Sequence, residues 1–346
     1  MKPVTIRSKK LPISLIIYAK TLTALLVLSA LCLGVLVYSV GTGEVPIPAM
    51  DVIKVLLGQG DPGNELIIYS LRMPRVLTAL MVGASMAVSG ALLQGMLRNP
   101  LASPDIIGIT GGASVAAVAC ISLFSQTGKA WLPVAAFGGA VCTAFLVYVL
   151  AWKRGVSPLR LVLIGMGLHA AANGLTTLLL ILSPIYTASQ AMVWLTGSVY
   201  NSSWTTVGTL TVWAGTLIPA AFLLARHLNA QQLGDELAVG IGSRVQLHRF
   251  LLILISVALA SAAVAAAGPI GFVGLMAPHI ARMWAGPSAG GWLPVSALTG
   301  SFLVLTADLI ARTAFSPLDL PAGLFTAALG APFLLFLLLR SGSHRH

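Results

Sequence analysis

Ten stretches of this chain are apolar over roughly the length a helix needs to cross a bilayer, and they recur from one end to the other. They fall near 14–40, 76–97, 106–124, 131–152, 161–182, 204–225, 250–267, 270–285, 292–311 and 323–339. At a rise of about 1.5 Å per residue, a hydrocarbon core of about 30 Å takes about 20 residues. Backbone groups in lipid find no water to bond, so such stretches must be helical. The predicted fold class is an all-α integral membrane protein, about ten transmembrane helices in a single polytopic domain over 1–346. The third and eighth stretches are short and rich in Gly and Pro, which leaves counts of nine and eleven open. The segment "SQAMVWLTGSV", 189–199, is too short to cross and reads as a surface helix between the fifth and sixth spans.

Composition agrees. Of 346 residues 57% are apolar and 8% charged, and the mean hydropathy is +0.94, far from soluble globular usage. A net charge of +11 raises nucleic acid as a partner, but the placement of the cations argues otherwise. With the N-terminus inside, the inner segments carry Lys2, Arg7, Lys9, Lys10, Lys20, Arg98, Lys153, Arg154, Arg160, Arg226, Arg244, Arg249, Arg282, Arg340 and Arg345. The outer segments carry only Lys54, Arg72, Arg75, Lys129 and Arg312. That bias follows the positive-inside rule, predicts cytosolic tails at 1–13 and 340–346, and accounts for the basicity without nucleic acid. The basic start and long apolar run, with no small-x-small cleavage site, read as a retained first span. In "LSALC", Leu31 stands where a lipid-attachment box needs a small residue. Cys32, Cys120 and Cys142 are odd in number and lie inside spans, so they read as small core residues.

Catalytic signatures are missing. There is no HExxH and no Walker A loop, and "TGKA" at 127–130 lacks the upstream glycine and the Ser or Thr that a phosphate and its magnesium require. "GMGLHA", 165–170, sits inside a span, where small residues at a helix contact are the simpler reading. "AVSGA", 87–91, lacks the glycine of an intramembrane serine protease motif. No catalytic residue and no metal-ligand set is assigned. An ion-coupled secondary transporter would show acidic residues within its spans, where this chain offers almost only Asp308.

One polar island interrupts the apolar pattern: "LGDELAVGIGSRV", 233–245, inside the longest inner loop, 226–249. Gly234, Gly240 and Gly242 divide it into pieces too short to be stable alone. Leu233, Leu237, Val239 and Ile241 have no reason to face water unless a partner covers them.

"LGDELAVGIG" resembles the coupling loop of the permeases that import iron-siderophores, haem and cobalamin through ATP-binding cassette transporters. Four further stretches resemble the same family in order: "LRMPRVLTALMVGASMAVSGALLQGMLRNPLASPDIIGITGGA" at 71–113, "GPIGFVGLMAPHIAR" at 268–282, "ADLIAR" at 307–312 and "LPAGLFTAALGAPFLLFLL" at 320–338. The resemblance implies a cobalamin-importer-permease-like fold of ten helices in a bacterial cytoplasmic membrane. It implies a second permease chain, identical or homologous, around a central path. It also implies two ATPase subunits, on which ATP and Mg are bound so that this chain carries no cofactor, and an extracytoplasmic substrate-binding protein. Ferric siderophores are the favoured substrate, with haem and cobalamin as alternatives.

The resemblance assigns roles to particular residues. Leu233, Gly234, Asp235, Glu236, Leu237, Ala238, Gly240 and Gly242 would dock in the ATPase, with Asp235 to Gly242 as paired short helices. Arg72, Arg75 and Arg312 would bridge to acidic residues of the binding protein, since a guanidinium fork suits a carboxylate. Interfacial anchoring remains open for the first two, and an intrahelical pair with Asp308 for Arg312. Candidates for path lining are Ser85, Ser89, Gln94, Asn173 and Thr176. In "RNPLASPDIIG", Pro100 and Pro104 force a tight re-entry, and Asp105 is expected to cap the next helix. His279 reads as a structural residue at a bend; His169 is better placed to face a path, with packing as the alternative.

Overall fold

The computed structural model describes residues 3–7, 14–43, 45–124, 128–153, 155–315 and 318–342. Lys2, Lys9, Lys10, Thr127, Arg154 and Arg345 of the expectations above lie outside them. Of the tail 1–13 only 3–7 is described, and it forms a short strand beside the otherwise helical fold. Strand β1 (Pro3–Arg7) pairs antiparallel with β2 (Ser14–Tyr18), Pro3 opposite Tyr18 and Arg7 opposite Ser14. The β-branched pair in "SLIIY" suits a strand, so the first span begins with α1 at Ala19–Gly41 instead of at residue 14.

Short helices α2 (Ala49–Leu56) and α3 (Pro62–Leu66) lead through a π-helical turn, Ile67–Arg72, into α4 (Met73–Leu97). Then come α5 (Ile109–Leu123), α6 (Gly128–Ala151), α7 (Pro158–Leu182), α8 (Ile185–Leu195) and α9 (Trp204–Leu223). The chain continues through α10 (Ala225–Gln232), α11 (Asp235–Gly240), α12 (Val245–Ala267), α13 (Val273–Ala285), α14 (Ala289–Thr313) and α15 (Ala322–Gly342).

Among the described residues eight helical runs are long and apolar enough to cross a membrane. The expected third and eighth spans exist as α5 and α13, but at 15 and 13 residues they are too short to cross alone. Each follows a break: α5 the re-entry at 98–108, and α13 the turn after Gly268. Helix α8 is the expected non-crossing helix between the fifth and sixth spans.

Helix α4 forms the axis of the bundle and packs against α12, α13 and α14. Its most apolar window is 83% buried, against 11% for α7, so α7 displays most of its surface to whatever surrounds a single chain. Lipid tails give helices no hydrophobic reason to associate, so tight packing and hydrogen bonds must hold the axis. Gly90 supplies the packing: a Cβ there would stand 1.9 Å from the Gly274 carbonyl oxygen on α13. Ser89 and Ser256 supply the bonding, with their hydroxyls 2.8 Å apart between α4 and α12. On the outer surface large apolar side chains such as Leu26, Phe145, Ile181 and Leu335 are exposed, as a lipid-facing surface requires.

Candidate functional site

The loop that holds the polar island folds into two short helices, α10 before the island and α11 within it, joined at Gly234, whose φ of +109° reverses the chain where an L side chain would be strained. The helix pair is therefore α10 with α11; the stretch Asp235 to Gly242 holds only one helix and the turn at Gly242. Ala238 is the buried contact of α11, while Leu233, Leu237, Val239 and Ile241 are all exposed, Leu237 by 62%. Glu236 and Gly240 share the exposed surface. Among the described residues this apolar row stays exposed, although six residues of helix bury too little to fold alone.

Asp235 has an inward task. Its carboxylate accepts two hydrogen bonds from Arg249 Nη2 of α12, at 2.7 and 2.9 Å, and Arg98 Nη2 stands 3.9 Å away. Arg249 is 1% exposed and also donates to the Val156 carbonyl. Arg98 ends α4 in the left-handed region, φ +52°. One carboxylate thus ties α11 to α12 and to the end of the axial helix. Neither arginine was singled out for this role from sequence; the available signal was that Asp235 is one of nine carboxylates in a chain with 20 Lys and Arg.

At the other end the three arginines expected to bridge to a binding protein are already engaged within the chain. Arg72, 8% exposed, donates to the carbonyls of Val40, Gly41 and Val45 and so satisfies the end of α1. Arg312 donates to Ser39 and to the Thr42 carbonyl. Its intrahelical pair with Asp308 is present at 3.9 Å. Arg75 lies between two carboxylates: Nε and Nη2 reach Asp308 at 2.9 and 2.7 Å, and Nη1 and Nη2 reach Asp319 at 2.6 and 2.8 Å. The Tyr200 ring lies 5.4 Å from the Arg75 guanidinium carbon. Desolvated cations at a span end need such partners, because an unpaired buried charge is costly. Asp319 and Tyr200 were missed in the sequence, where they lie in loops without helical periodicity.

The path-lining candidates are also redistributed. Ser85, Ser89 and Gln94 lie in the buried axis of α4, at 1% exposure or less, so they cannot line an open path in this structure. Gln94 Nε2 donates to the Leu275 carbonyl at 3.1 Å. Thr176 is buried too, and only Asn173 stands on the open face of α7. The serines were misplaced because small polar residues serve a tight helix contact as readily as a wet path.

Gly108, φ +79°, occupies the cap position of α5, which corrects the expected cap at Asp105. Asp105 instead hydrogen-bonds Thr110 and Ser103, and burial raises its carboxyl above the usual range. His279 packs edge-on against Phe333 at 5.7 Å. His169 lies beside Gly111, its Nδ1 3.0 Å from where a Cβ would stand. Cys32 and Cys120 are buried, whereas Cys142 faces outward from α6 and is no core residue. Among the described residues no group of three His, Cys, Asp or Glu side chains could hold a metal ion.

A bundle of eight membrane-length apolar helices with exposed apolar side chains is the architecture of a multi-pass membrane protein. The chain belongs to the FecCD transport family, whose profile matches residues 25–340. It is 52% identical over 322 residues to a probable siderophore transport system permease protein of Bacillus subtilis, covering 91% of this chain and 94% of that one. It is 50% identical over 311 residues to the achromobactin transport system permease protein of Dickeya dadantii, covering 90% and 89%. A solved structure described as an inward-facing conformation of a metal-chelate type ABC transporter superposes with a TM-score of 0.82 at 33% identity, covering 92% of this chain and 99% of that one.

Proposed function

We propose that this chain is the transmembrane permease of an ATP-binding cassette importer for ferric siderophores. The identity of half or more of the aligned residues to two siderophore-system permeases, over nine-tenths of the chain, carries the reading. It works beside a second permease chain, with ATP and Mg bound on two partner ATPases. Helices α10 and α11 face the cytosol and meet an ATPase through Leu233, Leu237 and Ile241; the inward bias of Lys and Arg supports this orientation. Movement of the ATPase pair then reaches α12 and α4 through the Asp235 ion pairs and biases the bundle between its two open states. The substrate-binding protein meets the opposite end, where Arg72, Arg75 and Arg312 brace the surface from beneath.

Radio-iron uptake on hydroxamate, catecholate and citrate chelates, in cells with and without this gene, tests the substrate. Loss of uptake from one chelate class is the expected result. Unchanged uptake on all three, in cells with no redundant importer, would overturn the siderophore reading in favour of haem or cobalamin.

A further inference from the structure

Beside α11 the chain builds a second feature, which shares Ile241 and Gly242 with the coupling surface. Arg226 and His227 on α10, Ser243 and Arg244 in the turn after α11, and His248 on α12 close around an open cleft of about 530 Å³. The rest of its lining is apolar or glycine, and among the described residues no carboxylate lines it. Asp235, one of the two carboxylates in this loop, is already committed to Arg249.

The imidazoles of His227 and His248 stack at 3.5 Å between centroids, with planes 19° apart. Arg226 Nε donates to His227 Nε2 at 3.2 Å, and Ser243 shares a hydrogen bond with His248 Nδ1 at 3.2 Å. Burial first, then His248 and Arg226, lower the His227 imidazole below its ordinary range; Arg226 and Arg244 in the lining give the cleft a positive potential. Helix α12 starts at the same place with no side-chain cap, so its first N–H groups add to that potential.

We propose that this cleft binds a phosphate-type oxyanion, supplied by the headgroup of an anionic lipid or by free phosphate. Two guanidinium forks and a hydroxyl supply the hydrogen bonds that phosphate oxygens take. The cleft opens where α9 ends and α12 begins, at the ends of two membrane-length helices, the level of headgroup phosphates. An anion there links α10 to α12 across α11, so its occupancy stiffens the helix that an ATPase would push.

The full-length chain, purified into nanodiscs, is the material for the test. Thermal unfolding is compared in phosphatidylcholine discs with chloride, in the same discs with inorganic phosphate, and in discs containing phosphatidylglycerol. Wild type should gain stability over the chloride condition from one anion or both. A gain with phosphate alone assigns the soluble ion; a gain with phosphatidylglycerol in chloride assigns the headgroup. The double variant R226Q/R244Q should lose the gain while unfolding at the same temperature in chloride, and R226K/R244K, which keeps the charges, guards against a folding defect by retaining much of it. An equal response of wild type and R226Q/R244Q to both anions would overturn the proposal, as would no response from wild type.

Discussion

Asp235 accepts two hydrogen bonds from Arg249, 14 residues later in the chain, and in doing so fixes the coupling helix to the bundle. The pair is asymmetric: the arginine is fully buried, while the carboxylate side chain is 41% exposed. Removing the carboxylate leaves a buried cation bonded only to a carbonyl.

Asp235→Ala is therefore expected to lower stability as well as transport. Partial exposure discounts the buried-pair penalty to about 1–3 kcal/mol, read as an earlier thermal transition. Leu237→Asp, at a side chain 62% exposed, should leave that transition in place while abolishing uptake and the response of the partner ATPase. If both variants melted like wild type, the division between an inner anchor and an outer contact would be wrong.

Arg75 separates its two carboxylates by burial. Asp308→Asn breaks a pair whose side chains are 9% and 2% exposed and should cost about 3–5 kcal/mol. Asp319→Asn, at a position 30% exposed, should cost distinctly less. Arg75→Glu should destabilise more than either, so lost affinity for a binding protein in that variant would come with lost stability. Thermal melts of the three variants set the order.

Gly90→Ala should disrupt the axis, because the new methyl falls on the Gly274 backbone, which cannot rotate away. A cost of about 1–3 kcal/mol follows from overpacking. Gly208 on α9, where a Cβ meets nothing within 4 Å, should accept alanine with unchanged stability. Equal melting temperatures for the two variants would count against the close contact.

His227 predicts a pH effect at the α10–α12 contact. Its pKa is lowered by burial, by His248 and by Arg226, so the unfolded chain takes up its proton first as pH falls. The stabilisation is full above the ordinary imidazole value of about 6.5 and is lost as pH falls through the lower folded value. His248, stacked on His227 in the same cleft, is lowered by burial and then by Arg226 and Arg244, and contributes in the same direction. Stability should fall as pH drops below about 6.5, and His227→Gln should flatten part of that fall. An unchanged slope in the variant would remove His227 as its source.

Much of the fold is legible because bilayer thickness acts locally: span length and apolarity are written in consecutive residues, as α6, α7 and α9 show. The polar island was legible for the opposite reason, since Leu237 and Ile241 in a charged loop point to a missing partner. The serines of α4 were not, because 83% burial of its apolar window depends on which helix the fold places at its centre.

The sequence by itself determined the class of protein, the membrane helices and the loop that waits for a partner, all consequences of hydropathy within short windows. Only the tertiary structure decided that Arg72, Arg75 and Arg312 brace the span ends from within. Arg75 and Asp308 are separated by 233 residues, and their pairing exists only because α4 and α14 pack side by side. A charge near a span end must be either hydrated or paired, and which of the two holds depends on packing that no local window contains.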